Sequence, residues 1–198
     1  AGCLRDVLEP ALADGRRSIA DIGCGDGAFL ASVLPRGQYS IHLSDLSEKM
    51  LDRARLALAP FGDVCVHAGD GGDPHRIPQA DILIAIGVLD YWHDWDARLE
   101  AFAARREALV ILSLPAPSAR QWLRSIWLAA HGLSVRWVRK AVGERRLGSL
   151  GRRVRCERVA EDWMIVLWPD QEAPRAKSTA GIVRTSTIMS NPSDRRLT

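Results

Sequence analysis

The chain has 198 residues, 47% hydrophobic and 26% charged, the composition of a single globular domain large enough to bury a core. No apolar run approaches the roughly 18 residues of a membrane span, and the N-terminal Ala1-Gly2-Cys3-Leu4-Arg5-Asp6 lacks the layout of a secretion signal. The cysteines at 3, 24, 65 and 156 form no C-x-x-C pair, so the sequence suggests neither a disulfide framework nor a zinc site, and the expected setting is the reducing cytoplasm.

Leu4, Val7, Leu8 and Leu12 fall at helical spacing, ending at Asp14-Gly15. Residues 18–22 read as a first strand, which runs into Gly23-Cys24-Gly25-Asp26-Gly27-Ala28. A helix follows from Gly27 to Leu34 and stops at Pro35. Tyr39 to Leu43 is a second strand; Ser47 then stands as the N-cap of a helix whose Met50, Leu51, Ala54 and Leu58 share one face. Asp63 to His67 is a third strand. The nearly unbroken apolar run from Ala80 to Ile86 predicts a central parallel strand covered on both faces.

Asp94 is placed to cap a helix with Trp95, Leu99 and Phe102 on one face, and Ala108 to Leu114 is a fifth strand ended by Pro115 and Pro117. Ser118-x-x-Gln121 fits a capping box that opens helical material reaching Leu147. Arg152 to Val159 and Asp162 to Trp168 read as a hairpin turning at Ala160-Glu161. Beyond Pro169 periodicity disappears, which predicts one domain over 1–168 and a disordered tail over 169–198.

Strands alternating with helices at this spacing predict an α/β fold with a doubly wound, mostly parallel, seven-stranded sheet. In such sheets ligands bind outside the carboxyl ends of the strands, where the strand order reverses. The glycine-rich turn after the first strand lets the backbone approach a ligand closely. Its residues also satisfy the dinucleotide pattern G-x-G-x-x-G/A, although Asp21 and Asp26 together would repel a pyrophosphate.

The segment Ser18 to Ala28, apolar residues followed by an acidic residue and Gly-x-Gly-x-Gly, resembles motif I of the class I S-adenosylmethionine-dependent methyltransferases. The resemblance covers residues 16–168 and implies S-adenosylmethionine as cofactor and a sheet whose last strand is antiparallel. It also implies roles. Asp21 would contact the methionine part of the cofactor, and Gly23, Cys24, Gly25 and Gly27 would form the turn beneath it. Asp45, with Leu46 beside it, ends the second strand where an acidic residue accepts both ribose hydroxyls. Asp70 and Gly71 would lie against the adenine, and Gly87 would let the chain after the fourth strand pass close to the cofactor. In many small-molecule members that fourth strand end reads much as Gly87-Val88-Leu89-Asp90-Tyr91 does here.

Methyl transfer from a sulfonium is an in-line displacement, so a general base is needed only when the acceptor is protonated. His93 is the candidate base, with Asp90 and Tyr91 as residues that orient the acceptor; the plainer alternative for Asp90 and Asp94 is helix capping. Between Pro117 and Arg158 eleven basic residues face two acidic ones, so this segment is +9 and the rest of the +3 chain is −6. Trp122, Ile126, Trp127 and Trp137 are interleaved with those charges. An anionic or amphipathic small molecule or an anionic lipid surface suits such a segment, as does a solvated helix with core tryptophans. Nucleic acid is disfavoured, because no binding motif accompanies the charge. Many members carry a longer N-terminal lid than the few residues that precede the first strand here. The lid is therefore expected to be absent, donated by a partner or replaced by the basic segment.

The expectation is a single-domain class I methyltransferase acting on a small molecule, at oxygen. The alternatives are an NAD(P)-dependent oxidoreductase and a non-catalytic methyltransferase-like binding subunit.

Overall fold

The computed structural model describes residues 2–73, 76, 78–118, 122, 123, 126, 127, 130, 151–160 and 162–170. The apolar runs do form the strands they predict: β1 (Ser18–Ile22), β2 (Tyr39–Asp45), β3 (Gly62–Ala68), β4 (Ile82–Ala85), β5 (Leu109–Pro115), β6 (Val154–Val159) and β7 (Asp162–Leu167). They make one seven-stranded sheet in the order β3-β2-β1-β4-β5-β7-β6. β1 pairs in parallel with β2 and β4, β2 with β3, and β4 with β5. β7 enters antiparallel between β5 and β6, as expected of the last strand.

The helices α1 (Gly2–Ala13), α2 (Ala28–Val33) and α3 (Glu48–Leu58) cover one face. Their Leu4, Leu8, Leu30, Val33, Leu51 and Leu58 pack with Ile19, Ile41, Leu43, Ile84 and Ile111 of the sheet. On the other face α4 (Trp95–Ala103) sets Leu99 and Phe102 against Ile22, Leu83, Val110 and Leu112. Fully burying a side chain of this size contributes about 1.5–3 kcal/mol, so these two layers account for much of the stability. All residues of β4 and β5 are buried, which is why their sequences are unbroken apolar runs. β3, at the sheet edge, instead alternates in exposure.

Two polar clasps hold the sheet. Asp81, just before β4, accepts the N–H groups of Arg17 and Ser18 and the Ser18 hydroxyl at 2.8–2.9 Å. Burial alone would raise its pKa, but those hydrogen bonds outweigh it and the carboxyl ends below its ordinary value. Arg152 is buried and donates to five backbone carbonyls, those of Ala103, Arg105, Ala108, Leu167 and Trp168. One of the eleven basic residues in the segment therefore joins β6 and β7 to the end of α4.

Some expectations need correction. β4 is shorter than Ala80–Ile86, because the chain leaves the sheet after Ala85 and turns at Gly87, whose φ is +70°. Asp94 occupies the N-cap position of α4 without capping it; its carboxylate takes the Arg98 guanidinium at 2.8 Å instead of a backbone N–H. Ser47 caps α3 as expected, accepting the Met50 N–H at 3.4 Å. Of the helix expected from Ser118, residues 122, 123, 126, 127 and 130 are helical. Trp137, Arg136, Arg139 and Lys140, with the rest of 131–150, lie outside the described residues, as does the tail over 171–198. Among the described residues, no helix is long and apolar enough to cross a membrane.

Candidate active site

The turn from β1 into α2 is fastened from beneath by the neighbouring strand. The N–H groups of Gly23 and Cys24 both donate to the Ser44 carbonyl, at 2.8 and 3.1 Å. The Gly25 N–H donates to the Asp45 carboxylate at 2.9 Å, and the other oxygen of that carboxylate accepts the Ser47 N–H.

Gly23, Gly25 and Gly27 all have positive φ, but their reasons for lacking a side chain differ. A Cβ at Gly23 would meet Val88 at 2.7 Å, and one at Gly27 would meet the Ala54 backbone of α3 at 2.8 Å. Those two glycines let neighbouring segments pack against the turn. At Gly25 and Gly87 a Cβ would meet nothing within 4 Å. These two keep open the space above the carboxyl ends of β1 and β4.

Asp21 reaches this region from β1 and is only 6% exposed. Burial, and then the charge of Asp45, push its carboxyl up to about 7. Burial followed by the charges of Asp21 and Asp45 raises the Cys24 thiol to about 12, so it stays protonated at neutral pH. Its Sγ donates to the Gly25 carbonyl at 3.6 Å. Two carboxylates come close enough at adjacent strand ends to act on each other beside the glycine turn, an arrangement that favours a cationic ligand over an anionic one.

Of the other expected cofactor residues, Leu46 projects with 79% of its surface exposed beside Asp45. Gly71 folds its backbone closely over the Ser44 side chain. Asp70 is held by partners within the protein. Its carboxylate accepts the Gly72 N–H at 3.0 Å and forms a two-pronged pair with the Arg98 guanidinium at 2.9 and 2.8 Å. Arg98 also pairs with Asp94 and stacks 4.5 Å over the Trp92 ring. The loops after β3 and β4 are thus joined through one α4 residue that the sequence reading missed; the Asp94–Arg98 spacing of four was its one local signal.

The acceptor-side candidates all follow β4. Leu89 to Tyr91 form a single 3-10 turn, with Asp90 at its centre, Tyr91 40% exposed and His93 exposed beyond it. Val88 lies against Gly23, and the Gly87 N–H donates to the buried Ser113 hydroxyl at 2.8 Å, so the start of this loop is fixed beside the glycine turn. A cavity of about 540 Å³ touches Asp70 and Gly71, but otherwise it lies over His42, Ser44 and His67 on the sheet face rather than over Gly23–Gly27.

A family model described as a methyltransferase domain matches residues 20–106, the stretch that holds the glycine turn, Asp45, Asp70 and the loop after β4. Over that stretch the chain is similar to methyltransferase domains, and its sheet has the fold of S-adenosylmethionine-dependent methyltransferases. Solved structures share its fold. The magnesium protoporphyrin IX methyltransferase of Synechocystis PCC 6803, with bound SAH, is 21% identical with a TM-score of 0.56, over 84% of this chain and 80% of that one. An O-methyltransferase family protein from Burkholderia thailandensis is 16% identical with a TM-score of 0.63, over 85% of this chain and 55% of that one. The CurJ carbon methyltransferase is 14% identical with a TM-score of 0.60, over 77% of this chain and 49% of that one. No curated protein matches the sequence. At these identities the likeness establishes the methyltransferase fold and not the acceptor.

Proposed function

We propose that this methyltransferase carries the methyl group of S-adenosylmethionine to an oxygen of a small, anionic or amphipathic acceptor in the space above Gly25 and Gly87. The observation that carries the reading is the pair of converging carboxylates, Asp21 and Asp45, around an open glycine turn. An ammonium and a sulfonium suit that field, whereas a dinucleotide pyrophosphate would meet two like charges.

When bound, S-adenosylmethionine supplies an electrophilic methyl group on a positive sulfur. Asp21 would hold the methionine ammonium, and Gly23, Cys24, Gly25 and Gly27 would line its backbone side. Asp45 has lone pairs left on both oxygens for the ribose hydroxyls, and Leu46 offers an apolar surface to the base. Asp70 and Gly71 would border the adenine, with Arg98 fixing the Asp70 rotamer. Gly87 would admit the sulfonium end. His93 would take the proton of an acceptor hydroxyl, while Asp90 and Tyr91 orient it. The basic segment, without Arg152, would attract the acceptor's negative charge.

Calorimetry with S-adenosylhomocysteine and with NAD tests the cofactor assignment. Micromolar-range binding of the former, about −8 kcal/mol, with none of the latter supports it; the reverse overturns it. A panel of anionic hydroxylated and carboxylated acceptors, assayed for S-adenosylhomocysteine release, then tests the chemistry. Turnover confined to amine or carbon nucleophiles would overturn the choice of oxygen.

A further inference from the structure

The face of β2 and β3 opposite α3 carries three side chains that the cofactor site does not use. The parallel register sets His42 beside Cys65 and Ser44 beside His67, so His42, Cys65 and His67 emerge on the same face. One donor atom from each lies within 4.8 Å of the other two. We propose that these residues form a binding site for a zinc ion, with three protein ligands and a fourth position open toward the adjoining cavity.

Three observations support the site. The Cys65 Sγ and His67 Nε2 are 3.4 Å apart, close to the roughly 3.5 Å edge of a tetrahedron built from Zn–S and Zn–N bonds of about 2.3 and 2.0–2.1 Å. The buried Nδ1 of His42 has no hydrogen-bond partner, which leaves the innermost imidazole with an unmet polar position. The three members are also accessible in the right order. Cys65 and His67 are exposed and can close the remaining distance by side-chain rotation, while His42 is anchored in the sheet. The His42 and His67 rings stand nearly parallel, 13° apart with centroids at 6.1 Å.

The donor set selects the ion. One thiolate and two imidazoles, without a carboxylate, suit a borderline-soft metal and not magnesium or calcium. Three ligands with an open fourth position is the arrangement of a zinc site that still holds water. On binding, the Cys65 thiol gives its proton to solvent as the Zn–S bond forms and a water leaves the ion; no electron is transferred. The cavity of about 540 Å³ is lined by both His42 and His67, so an ion held there would sit on its wall. The bland alternative is a thiol–imidazole hydrogen bond between Cys65 and His67.

The test uses the full chain, stripped with a chelator and titrated with Zn²⁺ against a chromophoric competitor. One ion per chain is expected, with Cys65 protected from alkylation on saturation. Cobalt in place of zinc should give a sulfur-to-metal absorption band that Cys65→Ser abolishes. Cys65→Ser, His67→Ala and His42→Ala should each weaken zinc by more than the roughly 10–100-fold that loss of a supporting partner costs. Circular dichroism of each variant confirms that the fold is retained; the exposed Cys65→Ser and His67→Ala changes leave the core untouched. Failure to retain stoichiometric zinc, or undiminished affinity in Cys65→Ser and His67→Ala, overturns the proposal and leaves the hydrogen bond as the whole explanation.

Discussion

The carboxylate of Asp45 accepts the backbone N–H of Gly25 at 2.9 Å, tying the end of β2 to the middle of the glycine turn. A residue expected only to meet the ribose thus also shapes the loop beneath the cofactor. Asp45→Ala is expected to weaken S-adenosylhomocysteine by about 1.5–3 kcal/mol, the scale of hydrogen bonds to a charged group. Asp45→Asn retains an acceptor for Gly25 and should lose less. Calorimetry on both variants checks this, and equal affinity in wild type and Asp45→Ala would remove Asp45 from the site.

Asp21 gives a pH signature. Its carboxyl titrates near 3.8 when unfolded and about 7 in the folded protein. Below the lower value both states are protonated. Above it the unfolded chain ionises first, so free-protein stability should decline as pH rises from about 4 to about 7 and then level off. A cationic ligand favours the ionised form. Cofactor affinity should therefore rise with pH up to about 7, with proton release on binding below that. Denaturant melts across the window, and calorimetry in buffers of differing ionisation enthalpy, measure the two arms; Asp21→Asn should flatten both.

The glycines of the turn should separate by phenotype. Gly25→Val adds a side chain where no protein atom lies within 4 Å, but at φ +55°, so the domain should fold with stability lowered by about 1–3 kcal/mol of backbone strain, and cofactor binding should be lost. Gly27→Ala would press on the α3 backbone at 2.8 Å with φ at +74°, and should destabilise by about 1–3 kcal/mol. Thermal melts paired with binding assays distinguish the two, and a Gly25→Val protein that binds normally would refute the placement of the cofactor.

Arg152 sits in a basic stretch yet acts as an internal clasp. Removing it takes the guanidinium donors from five carbonyls, at about 1–3 kcal/mol for each one left unsatisfied and dry. Arg152→Ala should cost at least about 3 kcal/mol in urea unfolding. Arg155→Ala, an exposed neighbour on β6 whose guanidinium pairs with Glu157 two residues away, should change little.

The sheet and the glycine turn were legible because their signals are local. Continuous apolar runs mark β4 and β5, and glycine alternation after Asp21 marks the turn. What escaped depends on contacts distant in sequence. Arg98 reaches Asp70 across 28 residues, and Arg152 reaches Ala103 across 49. An arginine among arginines reads as surface, and nothing nearby reveals five waiting carbonyls. Asp94 failed as a cap because a guanidinium competed successfully for its carboxylate. His42, Cys65 and His67 lie on two strands, and only the β2–β3 register brings them together.

The strand order has a consequence for how the chain is made. β1 sits between β2 and β4, so its second edge stays unpaired until residues 82–85 have been synthesised. During that interval Ile19 and Ala20 present an apolar, hydrogen-bond-hungry strand to anything nearby. The Asp81–Ser18 clasp lies at the point where β4 first meets β1, and can register the two strands as the later one emerges. Weakening that clasp would then show itself less in the finished protein than in its yield, as nascent chains that associate with one another before the sheet closes.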